Sequence, residues 1–194
     1  MVDLNDPTAV ALLASRALQS RGIEVAVCGG LALAAYGEPR ETKDADFAVC
    51  GVSASTARDA LLISHLDVIV AFDRVRFGGL FVSRVTLLGG AMARGINMID
   101  LVEPRSARYS REALARAIRG ILRGEEIVVL SPEDFVIFKV LATRERDLED
   151  AATVVEGLGA SLDLALIERE THLLAQEIPD HDIERRLAKA LSRF

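Results

Sequence analysis

Cys28-Gly29-Gly30-Leu31-Ala32-Leu33-Ala34-Ala35-Tyr36-Gly37 and, two residues on, Arg40-Glu41-Thr42-Lys43-Asp44-Ala45-Asp46 decide how this chain reads. Residues 23–28, just upstream, are rich in β-branched side chains and predict a buried strand that the two glycines stop. Residues 31–36 hold too much Ala and Leu for a strand and predict a short helix ending at Gly37. Two glycines at a strand-to-helix turn let backbone approach a ligand and leave N–H groups free, which suits a phosphate, although such a turn can also be merely tight. The polar loop 38–43 then leads into a second strand over 44–49.

In a strand, residues two apart face the same side, so the carboxylates of Asp44 and Asp46 converge there. Side-by-side carboxylates repel and aspartate is a poor strand former, so the arrangement is costly unless a cation neutralises it. The competing reading puts both in the loop, fully solvated. Asn97-Met98-Ile99-Asp100-Leu101-Val102 adds a third acid, inside an apolar run where an unpaired charge should not be buried; an edge strand with Asp100 in solvent is the alternative. Divalent cations held by all three explain the acids together, because two such ions can clamp the attacking and leaving oxygens of a phosphoryl displacement.

Outward from this centre, Asp6-Pro7 caps an amphipathic helix carrying Val10, Leu12, Leu13, Ala17 and Leu18, closed at Arg21-Gly22. Ser53 or Ser55 caps another helix running through Leu62, and residues 66–72 predict a third strand. Residues 77–88 mix glycines with apolar side chains and predict a hairpin strand at 84–88, and a better strand follows at 96–102. From Ser110 the pattern turns helical, apart from a short strand at 127–130. Ser131-Pro132-Glu133-Asp134 is a helix start, with Ser as N-cap, Pro in the first turn and acids on the positive end. Helices continue from there almost to Phe194. The layout divides into a mixed catalytic core, residues 1–130, and a helical C-terminal region, 131–194, packed on it, with no internal repeat and no low-complexity stretch.

The 194 residues, 51% hydrophobic and 27% charged, describe a globular chain with a sizeable core. No apolar run approaches the length of a bilayer span, and the acidic start Met1-Val2-Asp3-Leu4-Asn5-Asp6 is unlike a secretory signal, which together predict a soluble, cytoplasmic protein without membrane partners. Cys28 and Cys50 lie in apolar runs and read as buried small hydrophobes. A net charge of -6 argues against a surface that coats nucleic acid, but not against a polyanionic substrate bridged by cations. Arg105, Arg108, Arg111, Arg116, Arg119 and Arg123 form a basic stretch that reads as a solvated face, or as a guide for a nucleic-acid acceptor. His65, His172 and His181 fit no metal spacing. Asp147 and Asp150 read as solvated helix-surface charges, and Lys139 as a cation snorkelling from an amphipathic helix.

The Gly-Gly turn opening a short helix, the Arg-x-Thr-x-Asp-x-Asp entry at residues 40–46 and the later Asp100 resemble the signature of DNA polymerase β-type nucleotidyltransferases. The branch most resembled is that of the abortive-infection (AbiEii-like) toxins and related small bacterial transferases. The run Ser131-Pro132-Glu133-Asp134-Phe135-Val136-Ile137-Phe138-Lys139 and the later Arg144-Glu145-Arg146-Asp147-Leu148-Glu149-Asp150 resemble helical segments of the same branch, so the likeness spans about 23–155. It implies an α+β fold of the polymerase β type, a mixed sheet flanked by helices with a helical C-terminal part. It implies two Mg²⁺ ions held by Asp44, Asp46 and Asp100, with Asp100 also helping to deprotonate the acceptor hydroxyl. Gly29 and Gly30 would hold the β- and γ-phosphates of an NTP, Arg40 or Thr42 would contact phosphate oxygens, and Lys139 would approach the triphosphate or the base. Ala45 and Lys43 depart from the pattern, which more often has a larger aliphatic and a small or polar residue there, but neither removes a ligand.

The implied activity is transfer of a nucleoside monophosphate from an NTP to an acceptor hydroxyl of tRNA or protein, as the toxin of a pair with a cognate antitoxin. An aminoglycoside- or lincosamide-type small-molecule transferase is the alternative acceptor class, and a non-catalytic nucleotide-binding module of the same fold is a third possibility.

Overall fold

Asp6 accepts hydrogen bonds from the backbone N–H groups of Thr8 and Ala9 and starts the first helix where the sequence places it. In a computed structural model of the chain, residues 2–62, 67–89 and 93–192 are described. His65, and Leu66 at the start of the expected third strand, lie outside them. In chain order the elements are β1 (Val2–Asp3), α1 (Pro7–Gln19), β2 (Ala26–Val27), α2 (Gly30–Ala35), β3 (Ala45–Ala48) and α3 (Ala54–Leu62). There follow β4 (Asp67–Phe77), β5 (Leu80–Leu88), β6 (Ala93–Arg94), β7 (Ile96–Pro104), α4 (Ala107–Ala115), β8 (Ile118–Leu122) and β9 (Glu125–Val129). The chain ends in α5 (Pro132–Leu141), α6 (Glu145–Leu158), a short 3-10 turn, α7 (Leu164–Glu177) and α8 (Ile183–Leu191).

The fold is α+β. Seven strands form one mixed sheet in the order β4-β5-β7-β3-β2-β9-β8, flanked by the helices, and β1 pairs separately with β6. Pairing is parallel between β3 and β7 and between β2 and β9, and antiparallel elsewhere in the large sheet. The β3–β7 register sets Ala45 beside Ile99, Asp46 beside Asp100 and Phe47 beside Leu101. Ala45, Phe47, Ile99 and Leu101 are buried in the core on one side, so alternation turns Asp46 and Asp100 to the other. Among the described residues no helix is long and apolar enough to cross a membrane.

One stretch departs clearly from the expected pattern. Residues 118–129 form the hairpin β8–β9, although only 127–130 were expected as strand within a helical region. The cause lies at Gly120, deep enough in the sheet that an added Cβ would sit 3.1 Å from Ala35 Cβ, and at the turn residue Arg123, whose φ of 50° ends helical continuity. The six arginines of the basic stretch 105–123 therefore lie on no common helix face, and among the described residues five of them are paired. Arg105 bonds Asp180, Arg108 bonds Glu170 and Glu177, Arg116 grips Asp134, Arg119 meets Glu126 and Arg123 meets Asp6. The pair with Asp134 is part of a closed network: this fully buried carboxylate also accepts from Tyr109 Oη at 2.8 Å and Ser131 Oγ at 2.9 Å, which locks the start of α5.

Candidate active site

The glycine turn, the end of the 38–44 loop and two adjacent strands meet at one place. Asp44, just before β3, and Asp46 and Asp100, side by side on β3 and β7, each bring a carboxylate oxygen to within 4.8 Å of the others. Thr42 Oγ1 donates to Asp44 Oδ1 at 3.2 Å and steadies the first of them. Burial, then the negative charges of Asp44 and Asp100, push the Asp46 carboxyl up to about 7, against the opposing pull of Lys139 and Arg144. Three crowded oxygen donors of one sign suit a hard divalent cation such as Mg²⁺ or Mn²⁺, which takes oxygen ligands and offsets their repulsion.

Gly29 is there because nothing larger fits. A Cβ built on it would lie inside the Asp46 carboxylate, 2.7 Å from Asp46 Cβ, and one on Gly30 would lie 2.9 Å from Thr42 Cβ and 3.2 Å from Arg40 Cζ. The turn thus seats the aspartate and the loop directly against its backbone. Gly29→Ala should push the Asp46 side chain aside and weaken Mn²⁺ binding by roughly tenfold or more. A Mn²⁺ titration followed by electron paramagnetic resonance checks this, and an unchanged affinity would contradict it.

A cavity of about 260 Å³ opens on this face, and of the residues picked from sequence Gly29, Asp46, Asp100 and Lys139 line it. Its far wall is apolar, with Phe72, Phe77, Leu80, Val82 and Phe138. Lys139 does not snorkel. Its ammonium is buried between Asp150 Oδ2 at 2.8 Å and Asp147 Oδ1 at 3.1 Å. Burial pushes this amine down, but Asp150 and Asp147 outweigh that and hold it above its ordinary value. Asp147 and Asp150, expected in solvent, are 2% and 5% exposed. Three residues apart on α6, they share the face that meets α5. Arg40 grips Asp150 with two bonds of 2.9 Å, and Arg144 bonds Asp147 at 3.1 Å, so a row of alternating charges ties the 38–44 loop to α5 and α6.

Arg84 escaped the sequence reading. It is the register partner of Asp100 across β5 and β7 and holds both of its oxygens, at 2.6 and 2.7 Å. The signal was present: a lone cation in the apolar run Phe81-Val82-Ser83-Arg84-Val85-Thr86-Leu87-Leu88 is the counterpart of the lone acid at Asp100. His172 pairs with Glu184 and His181 rests on the Val140 carbonyl, and neither joins the carboxylate cluster. Cys28 is buried and borders the cavity, while Cys50 is only half-buried.

A family model described as "Nucleotidyl transferase AbiEii toxin, Type IV TA system" matches residues 11–192. Among curated proteins no relative matches. Among solved structures, an antigenic nucleotidyltransferase-like protein from Paracoccidioides brasiliensis is similar with a TM-score of 0.51 and 19% identity, over 96% of this chain and 94% of that one. ANT(2")-Ia in complex with adenylyl-2"-tobramycin is similar with a TM-score of 0.50 and 16% identity, over 96% of this chain and 97% of that one. A solution structure of the antibiotic-resistance factor ANT(2'')-Ia gives a TM-score of 0.52 and 16% identity, over 89% and 98% of the two chains. At these identities the likeness to solved structures is one of fold.

Proposed function

The chain belongs to the AbiEii family of nucleotidyl transferase toxins, and from that premise we propose that it transfers a nucleoside monophosphate from an NTP to an acceptor hydroxyl in a Mg²⁺-dependent reaction, releasing pyrophosphate. The observation that carries this reading is the meeting of three carboxylate oxygens within 4.8 Å beside a glycine turn. Bound by Asp44, Asp46 and Asp100, two Mg²⁺ ions would supply the positive charge that offsets the triphosphate and the charge developing on the transferring phosphoryl group. Gly29 and Gly30 admit the β- and γ-phosphates to the backbone. Lys139 presents its charge at the cavity wall beside Arg144. Arg40 and Thr42 hold the entry loop through Asp150 and Asp44; Arg40 would turn its remaining N–H groups to phosphate oxygens, and Thr42 would contact them by redirecting the one hydroxyl proton it now gives Asp44. Asp100 accepts the proton of the attacking hydroxyl. Positioning and electrostatics account for the rate, since phosphoryl transfer asks little covalent help from the protein.

Residues 1–130 serve as the catalytic core and 131–194 as the helical region that carries Lys139, and we place the protein in the cytoplasm with a cognate antitoxin as partner. The acceptor we favour is tRNA or protein, as the family's toxin character supports. The test incubates the protein with each of the four α-labelled NTPs, Mg²⁺ and, in turn, bulk tRNA, a protein extract and an aminoglycoside such as tobramycin. Label should pass to tRNA or protein with release of pyrophosphate, and chelation with EDTA should stop it. Label on the aminoglycoside alone would move the protein to the small-molecule class. Mg²⁺-dependent NTP binding with no pyrophosphate from any acceptor would make it a binding module.

A further inference from the structure

We propose that Arg84 is the resident counter-cation of the carboxylate cluster, occupying Asp100 in the metal-free protein and yielding it when a divalent cation binds. This rests on reading Asp44, Asp46 and Asp100 as a divalent-cation site.

The placement follows from the sheet. Across three neighbouring strands the registers align Arg84 of β5 with Asp100 of β7, and Asp100 with Asp46 of β3, so one cation and two anions stand in a single row. Arg84 Nε donates to Asp100 Oδ1 at 2.6 Å and Nη2 to Oδ2 at 2.7 Å, the two-pronged grip that a guanidinium makes with a carboxylate. Asp100 is thereby shared between two claimants. It is one of the three acids that converge, and both of its oxygens already accept from Arg84. A cation drawn to the cluster has to compete for those oxygens and meets the guanidinium as a like charge.

Arg84 is also free to move. Its remaining contacts are weak ones, Met98 Sδ at 3.4 Å from Nη1 and the face of Phe72 with the guanidinium carbon 5.5 Å from the ring centroid. Its side chain is 30% exposed and lines the cavity, so it can leave Asp100 by sliding over Phe72 without entering the core. Lys139 differs, being enclosed by two carboxylates. Arg144, the other described cation near the cluster, bonds Asp147, so Arg84 is the one whose partner is itself a cluster carboxylate.

The metal-free protein, Arg84→Gln, Arg84→Lys and Asp46→Asn are titrated with Mn²⁺ alone, free ion being read by electron paramagnetic resonance, and the melting temperature of each protein is recorded. Arg84→Gln should bind Mn²⁺ about tenfold more tightly than the unaltered protein, as removal of one nearby positive charge requires. Arg84→Lys keeps the charge but loses the fork and should fall between the two. Asp46→Asn should bind at least about tenfold more weakly. A merely structural role for Arg84 predicts the opposite, since loosening Asp100 weakens the site. If Asp46→Asn loses Mn²⁺ while both Arg84 variants bind no more tightly than the unaltered protein, the inference about Arg84 is overturned and the cation site stands. Absence of Mn²⁺ binding in every protein would overturn both. Should Arg84→Gln fail to fold, Arg84→Lys decides by the same criterion.

Discussion

Asp46→Asn should lower nucleotide transfer by roughly 10³-fold or more, about 4 kcal/mol of transition-state stabilisation, and at the same time make the metal-free protein more heat-stable above pH 7. The two effects have one cause. Burial and the neighbouring Asp44 and Asp100 raise this carboxyl from 3.8 to about 7. An acid that holds its proton more tightly in the folded chain than in the unfolded one contributes stability below pH 4, and that contribution is lost as pH rises to 7. Above pH 7 the folded protein carries a charge it would shed if it could, and asparagine carries none. The partial exposure of the site discounts the gain to about 1–2 kcal/mol, or roughly 3–6 °C in melting temperature for a chain of this size. Calorimetry in EDTA at pH 5 and pH 8 reads it as a difference in slope between the two proteins. Equal slopes would mean that the carboxylates are not crowded, and Mg²⁺ at pH 8 should raise the melting temperature of the unaltered protein but not of the variant.

The largest loss of stability is expected from Lys139→Met. Methionine fills the volume of the lysine stem but leaves Asp147 and Asp150, 2% and 5% exposed, without the ammonium between them. Each keeps one arginine, Arg144 and Arg40 respectively, so the site is impoverished and not emptied. Breaking a buried pair in this way costs about 3–5 kcal/mol, because the remaining charge has no water to turn to. The melting temperature should fall by about 10 °C. Adding Asp150→Asn to Lys139→Met removes one of the stranded charges and should recover part of the loss. A drop of less than about 1 kcal/mol for the single variant would show that water reaches the two acids as it does a surface pair.

The centre of the molecule was legible in the sequence because its constraints are local or severe. Gly29-Gly30 and Asp44-Ala45-Asp46 sit within one short stretch, and Asp100 betrays itself as a charge in an apolar strand. Ser131-Pro132 marks the start of α5 by its capping chemistry alone, and Ser131 Oγ duly accepts from Asp134 N at 3.1 Å. What escaped depends on which face meets which. Asp147 and Asp150 have the spacing of an ordinary solvated helix surface, and only the packing of α6 on α5 turns them inward. The β8 strand escaped because Arg119-Gly120-Ile121-Leu122 has no clean alternation, its pairing being imposed by β9. Arg84 is legible on the same ground as Asp100, since a lone charge in an apolar strand needs an opposite charge beside it.

The parallel pairing of Asp46 with Asp100 joins residues 54 positions apart through a crossover. Contacts of such long sequence separation form late, once the entropy of closing the intervening chain has been overcome. A ribosome must therefore release β3, β7 and finally α5 before the three aspartates and Lys139 can coexist in one folded body. Until α5 has emerged, a growing chain of this architecture lacks Lys139 beside its three acids, and the candidate site is incomplete.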